Sequence, residues 1–448
     1  MRVVNGLIYD EKAAAGTEGF RPGTLRTAGA EIDAVSFGGA EETAAAGAET
    51  EQNRNVNANI NANANGTVAA AENEPILDAT GCYVIPGLLD LHFHGCVGED
   101  FSDASPEGLA KMAAYELSQG VTYICPAGMT LPEEQLDKIC RNAAQYRAAQ
   151  NKSAQDRAAQ NRAVQHQDAR DGAAEAEGQP GAELVGINLE GPFLSEGKKG
   201  AQNPDYLHKP DTEMLERLLN SAQGLVRLIT VAPELPGALP FIETAAKRFG
   251  LTVSVGHTEA DYDTAMAAFQ AGASQATHLY NGMPPLHHRA PGVIGAAFDA
   301  EGVRAELICD GVHIHPAVIR MTFQLFGRDR VILISDSLRA AGMPDGQYPF
   351  GGQEIEVHGN RATLLGKPET LAGSVTNLMG CLREAVSFGI PLADAVRAAS
   401  TNPAKALGLF ERIGSLDAGK DASFVLLNKA DFSVKSIVFH GKLLSSFK

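Results

Sequence analysis

Residues 83–95 read YVIPGLLDLHFHG: an apolar run from 83 to 91 that stops at two histidines, His92 and His94, one residue apart. A short apolar run bounded by turn residues is the pattern of a buried strand. Working outward, seven more runs of this kind follow, at 121–126, 184–189, 226–231, 252–255, 275–277, 304–309 and 331–335. A helix-like segment follows each of them. Strand and helix in strict alternation imply parallel pairing. Eight such units in a chain of 448 residues predict an α/β fold, a closed (β/α)8 barrel of the TIM type. An open doubly wound sheet is the alternative, but no GxGxxG follows an early strand.

The two ends differ from this middle. MRVVNGLIYD (1–10) and ASFVLLNKADFSVKSIVFHGK (422–442) both read as strands and turns. They predict a small β-sandwich domain built from both termini, 1–82 plus 413–448, around a barrel at 83–412. Two low-complexity stretches interrupt this plan. In 38–74, rich in Ala, Gly, Glu and Asn, every second residue from Asn53 to Asn65 is Asn. Such a stretch has too little apolar surface to offset the entropy of ordering, so disorder is expected. In 146–182, RAAQN occurs at 147–151 and again at 157–161, and the stretch is expected to prolong a surface helix.

Composition narrows the partners. Hydrophobic residues make up 44%, enough for a large core, and 37 Lys and Arg against 54 Asp and Glu leave a formal net charge of −17. An acidic chain repels nucleic acid and anionic lipid at long range, so neither is an expected partner. A local basic pocket could still take a small anion. The six cysteines form no CxxC pair, which points to reduced thiols rather than a disulfide framework. The N-terminus has no signal-peptide pattern and no stretch approaches a membrane span. A soluble, cytoplasmic chain is the expectation.

A barrel gathers its active site at the C-terminal ends of its strands. The polar residues ending the runs are therefore the candidates: His92 and His94 in LHFHG, Glu190 in NLEGP, His257 in VGHT, His278 in THLYN and Asp336 in ISDS. Residues i and i+2 of a strand share a side, so His92 and His94 can hold one cation together. Imidazole suits zinc or iron(II), and a carboxylate can bridge two metals. Such a metal makes water acidic enough to ionise near neutrality. A carboxylate beside that water, Asp336, can take its proton and return it to a leaving amine. A lone HxH or a single strand-end histidine is usually an ordinary core or surface residue. The coincidence at five strand ends carries the reading.

The motifs PGLLDLHFHG (86–95), NLEGPFLSEGKKGAQNP (188–204), SVGHTEA (254–260), THLYNGMPPLHHRAPGVIGAAF (277–298), ICDGVHIHP (308–316), ISDSLRAAGMPDG (334–346) and LAGS (371–374) resemble the amidohydrolase superfamily. Within it they look like the deacetylases of phosphorylated N-acetylamino sugars; THLYNGM followed by His-Arg-x-Pro-Gly is the distinctive part.

The resemblance implies that Glu190, His257 and His278 hold the main catalytic metal, and that His92 and His94 match an HxH that binds a second metal in some members. One or two divalent cations per subunit, zinc or iron(II), are thus expected. It further implies Asp336 as general base and then acid, and His313 as the residue that binds the sugar and polarises the acetyl carbonyl. Backbone near Asn281 and Gly282 would cradle the phosphate, and Arg289 would reach it from the second subunit of a homodimer. Where some members have a substrate-contacting histidine after the KKG segment, this chain has Gln202. The implied substrate is the gluco sugar, with the galacto epimer as the alternative. A metal-free barrel serving as a scaffold is the reading from another class, and filled ligand positions speak against it. His287, His288, His315, Lys198 and Lys199 read as ordinary loop or surface residues.

Overall fold

The computed structural model describes residues 1–14, 18–38, 74–164 and 180–444, with side chains left out at 154–164. Most of the stretch expected to be disordered, 39–73, lies outside the described residues. So do 165–179; the part before them, 146–164, continues the helix Glu133–Val164, 32 residues long. The chain forms two compact units, one of Met1–Ile85 with the C-terminal segment from Ser415, the other of Pro86–Gly414.

The larger unit is built on eight parallel strands. They are β1 (Leu88–Asp90), β2 (Val121–Ile124), β3 (Ile187–Glu190), β4 (Val226–Val231), β5 (Thr252–Val255), β6 (Gln275–Ala276), β7 (Arg304–Ile308) and β8 (Val331–Ile334). The strands from β3 to β8 pair in chain order, and β1 pairs β2. The step from β2 to β3 is made twice. Glu183–Leu184 pairs β2 itself, whereas Ala127–Gly128, just beyond β2, pairs β3. Main-chain hydrogen bonds join the ends of β8 and β1: Asp336 N–H donates to His92 O at 2.9 Å, and His94 N–H to Ser337 O at 2.8 Å. The strands are nearly continuous apolar runs with almost no exposure, as befits a parallel sheet covered on both faces. Leu89, Tyr123, Leu228, Ile308, Ile332 and Ile334 share one buried cluster.

Local chemistry starts the helices that return to the next strand. Ser105, Asp211, Asp261 and Asn377 each accept a backbone N–H of the first turn of the helix they precede. Each satisfies a donor the helix itself leaves orphaned. His315 does the same for Pro316–Phe326, accepting Ala317 N–H through its ring, so its role is structural.

One sequence expectation needs correcting. The run 83–91 is two strands, not one. Cys82–Pro86 belongs to the terminal sheet, where Leu7 pairs Tyr83 and Ile8 pairs Val84. β1 begins only after Gly87, where a Cβ would lie 2.0 Å from Thr122 Oγ1. The two compact units meet along the chain at Ile85/Pro86 and at Gly414/Ser415.

The smaller unit holds strands from both termini in one eight-stranded sheet. Arg2–Tyr9 lies inside it, and Phe424–Asn428 and Val434–Phe439 lie toward one edge.

The larger unit also carries an unforeseen antiparallel four-stranded sheet after β8: Gly346–Phe350, Gln353–His358, Arg361–Leu364 and Lys367–Leu371. Its turns, Gly351-Gly352, Gly359-Asn360 and Gly366, were readable hairpin signals. The sheet buries Phe350, Ile355, Val357 and Leu364 with Met129 and Leu338.

Candidate active site

At the C-terminal mouth of the barrel, four imidazoles surround one carboxylate. Glu190 ends β3, buried. Its Oε1 lies 3.1 Å from His257 Nε2, 3.0 Å from His278 Nε2 and 3.3 Å from His92 Nε2. Its Oε2 lies 3.2 Å from His94 Nε2. Two ligand triads result, His92–His94–Glu190 and Glu190–His257–His278, each with its donor atoms within 4.8 Å of one another. Asp336 Oδ1 is 3.4 Å from His94 Nε2 and 3.8 Å from His92 Nε2. All six residues are thus brought together from five strand ends far apart in sequence.

The hydrogen bonds behind the ring set its chemistry. His94 Nδ1 faces Ala127 O at 3.1 Å, His257 Nδ1 faces Lys198 O at 2.8 Å, and His278 Nδ1 faces Asn281 O at 3.1 Å. His92 Nδ1 faces the Glu306 carboxylate at 2.9 Å. None of these partners can donate, so each Nδ1 carries a proton, and each Nε2 is the atom turned to the centre, open to a cation once its own proton is released. His257 Nε2 and His278 Nε2 approach to 3.0 Å, close enough to share a proton. His92 Nε2 is buried without a hydrogen-bond partner. Convergent Nε2 atoms around a carboxylate, each ring fixed from behind by an acceptor, are a donor set that could hold a divalent cation.

The two carboxylates draw positive charge onto the same Nε2 atoms, and a proton answers that pull as a cation would. Burial disfavours a charged His94, yet its hydrogen bonds to Asp336 and Glu190 outweigh this and push its pKa up to about 10. Burial is likewise overcome at His92, by Glu306 and Glu190, and at His257, by Glu190; both are raised. Burial alone would raise Glu190, but His92 and His257 hold it well below the usual carboxylate range. Asp336 is lowered against its own burial, chiefly by His94. Both carboxylates of the ring are held toward their ionised form, with the imidazoles as their counter-charges.

Three of these residues sit in left-handed backbone: His257 at φ 45°, His278 at φ 27° and Asp336 at φ 48°. Each costs on the order of 1–3 kcal/mol for a residue other than glycine, strain that is typical of functional sites. Each follows a strand end closely, where the chain must leave the strand at once. Surrounding bonds hold the turns: Ser374 N–H donates to Asp336 O at 2.8 Å, and Thr258 N–H to Gly282 O at 3.0 Å.

The remaining sequence candidates fall into two groups. Gln202 is buried and its amide is fully oriented. Oε1 accepts Thr130 N–H at 2.7 Å, and Nε2 donates to Glu190 Oε2 at 2.7 Å. It supports the central carboxylate, which the motif alone did not indicate. His313 lies beside Asp310, whose Oδ1 accepts the N–H groups of Val312 and His313 at 2.9 Å and whose Oδ2 meets His313 Nδ1 at 2.7 Å. Burial works against a charge on His313, but the Asp310 hydrogen bond and charge raise its pKa. Asp310 is lowered in return, against burial.

Asn281 and Gly282 border the ring directly; a Cβ at Gly282 would come within 3.2 Å of His257 Nδ1. The Asn281 N–H is spent on His278 O at 2.9 Å, and its carbonyl serves the His278 ring. Arg289 is not brought to the ring within this chain. It is exposed, with Nη1 2.8 Å from His288 Nε2.

Sequence reading missed Glu306 and Asp310. Glu306 was visible as a charge inside the apolar run of β7, and Asp310 as a carboxylate three residues before His313.

Similarity to known proteins follows the same pattern. Residues 83–444 match the amidohydrolase family. N-acetylglucosamine-6-phosphate deacetylase of Bacillus subtilis (strain 168) is 37% identical over 77% of this chain and 80% of its own. N-acetylgalactosamine-6-phosphate deacetylase of Escherichia coli O157:H7 is 34% identical over 85% and 93%. A mutant N-acetyl-D-glucosamine-6-phosphate deacetylase from Mycobacterium smegmatis, solved in complex with N-acetyl-D-glucosamine-6-phosphate, superposes with a TM-score of 0.78 at 30% identity, covering 99% of this chain and 98% of that one. With its barrel and a family match over residues 83–444, this chain belongs to the amidohydrolase family.

Proposed function

We propose that this protein hydrolyses N-acetyl-D-glucosamine 6-phosphate to D-glucosamine 6-phosphate and acetate, in amino-sugar catabolism. The observation that carries the reading is the Glu190-centred ring with ionised Asp336 at its edge, in a chain 37% identical to such a deacetylase. Two cations suit the ring: His92, His94 and Glu190 would hold one, and Glu190, His257 and His278 the other. Nitrogen-rich donors with carboxylate fit zinc or iron(II). A cation held there supplies Lewis acidity and lets water ionise near neutral pH.

The chain's own groups do the rest. Asp336 takes the proton from the attacking water. His313, held protonated to higher pH by Asp310, turns its Nε2–H to the acetyl carbonyl oxygen and stabilises the charge that develops there. Asp336 then gives its proton to the sugar nitrogen as the carbon–nitrogen bond breaks, so amide and water become amine and acetate. The Asn281–Gly282 turn and Arg289 are the phosphate candidates. Arg289 is exposed and its guanidinium meets His288, which suits a homodimer in which it completes the partner's site, with a planar fork matched to phosphate. All six cysteines are unbridged, which suits a reducing cytoplasm. Among the described residues, no helix is long and apolar enough to cross a membrane.

The galacto epimer is the second reading, favoured by the 34% identity to the galactosamine enzyme over 93% of that relative. The test is acetate release from both 6-phosphates and from unphosphorylated N-acetylglucosamine, after zinc or iron(II) loading. Faster release from the gluco 6-phosphate supports the proposal; faster release from the galacto sugar moves the assignment to the epimer. No release from any of the three sends the substrate back to other amides.

A further inference from the structure

Glu306 is a buried carboxylate beside the ring that the proposed chemistry does not use. Glu306 lies on β7 with no solvent exposure. Its Oε2 meets His92 Nδ1 at 2.9 Å and accepts the His278 backbone N–H at 3.1 Å. Its Oε1 accepts Gln275 Nε2 at 2.6 Å. One carboxylate therefore touches a ligand from each triad. It acts on them unequally: on the imidazole of His92, but only on the main chain of His278.

The four ring histidines are also unlike one another from behind. His94, His257 and His278 turn Nδ1 to main-chain carbonyls, whereas His92 alone faces a side-chain charge. A carboxylate on Nδ1–H locks the tautomer and makes Nε2 a stronger donor to a cation. Gln275 shows how firmly this layer is set. Its Nε2 is committed to Glu306 while its Oε1 is buried without a partner. Turning the amide over would place that oxygen against the carboxylate, a worse arrangement.

We infer that Glu306 is a positioning residue that sets the cation affinity of the His92–His94 position through the His92 ring, leaving the His257–His278 position largely independent. The inference rests on the two-cation reading above and adds the residue that tunes one position against the other.

The test needs no turnover. Cation-free protein is titrated with zinc against a chromophoric chelator, which reads each equivalent separately. His92→Ala identifies the equivalent belonging to its triad. Glu306→Gln keeps the side-chain shape and can keep an acceptor oxygen on His92, with the new amide facing a turned-over Gln275. It should weaken that same equivalent by about 10–100-fold and leave the other within about threefold. In the His92→Ala background, Glu306→Gln should change zinc affinity no further, because the ring it acts through is gone. A merely structural role would weaken both equivalents alike and add to His92→Ala. Should Glu306→Gln not fold, Glu306→Asp keeps the charge but withdraws it by one methylene, and is expected to weaken the same equivalent selectively. Unchanged affinities, or equal loss at both positions, overturn the inference alone. Wild-type protein binding fewer than two zinc ions overturns the two-cation reading and the inference with it.

Discussion

Replacing Asp336 by Asn separates chemistry from architecture cleanly. The main chain of Asp336 is held from both sides, its N–H on His92 O at 2.9 Å and its carbonyl under Ser374 N–H at 2.8 Å, and neither bond uses the side chain. Its φ of 48° is a conformation that Asn tolerates better than other residues, so the substitution adds little strain. The amide has the same shape as the carboxylate and fills the same space 3.4 Å from His94 Nε2. What it loses is the ability to take a proton. Asp336 is an ionised carboxylate in this site, and the proposed reaction uses it twice, as base and then as acid. General acid–base catalysis contributes about 10²–10⁴-fold, and here both transfers fail together, so kcat should fall about 10³–10⁴-fold. At 1.36 kcal/mol per factor of ten this is about 4–5.5 kcal/mol of barrier. KM should move little. Acetate release gives kcat, and zinc content with thermal melting shows that the site and fold survive. A variant that kept kcat within tenfold of the parent, with full zinc content, would refute Asp336 as the proton carrier.

Other outcomes follow from the same geometry. Arg289→Ala removes a charge-assisted contact worth about 1.5–3 kcal/mol. It should raise KM for the 6-phosphate about 10–100-fold while zinc content stays unchanged; an unaltered KM would exclude Arg289 from phosphate binding. His313 is buried, yet Asp310 raises its pKa above the ordinary 6.5, so its protonated form persists below that raised value and is lost as pH climbs through it. The alkaline limb of kcat/KM should move to lower pH in Asp310→Asn; a limb that stays put would mean that another group titrates. Gly87→Ala puts a Cβ 2.0 Å from Thr122 Oγ1 at the start of β1. Overpacking of this kind costs about 1–3 kcal/mol, so the urea midpoint should fall, and an unshifted midpoint would show that the turn can relax.

The sequence was most legible where a local rule and a global plan coincide. His92, Glu190, His257, His278 and Asp336 could be found because barrel strands deliver their C-terminal residues to one mouth, whatever the intervening helices do. The break at Gly87 was hidden because an apolar run reads the same whether it serves one sheet or two. The antiparallel sheet after β8 had its glycine turns in view, but nothing local says where such an insertion folds. Gln202 resembled a substrate contact by position in a motif. Only the Thr130 N–H on its oxygen and Glu190 on its nitrogen reveal which way the amide points.

By itself, then, the sequence determined the alternation of strand and helix, the barrel it implies, and the identity of the six residues at its mouth, since periodicity and strand-end placement are local properties. Tertiary structure alone decided how those residues act. Glu306, held by Gln275 on the adjacent strand, lies behind His92, 214 residues from it along the chain, and the carbonyls of Ala127 and Lys198 come from distant turns to the rings of His94 and His257. Tautomer, charge and lone-pair direction depend on what lies behind each ring. Except at His278, whose ring meets Asn281 in its own turn, those neighbours are chosen by closure of the barrel and not by the residues beside them in the sequence.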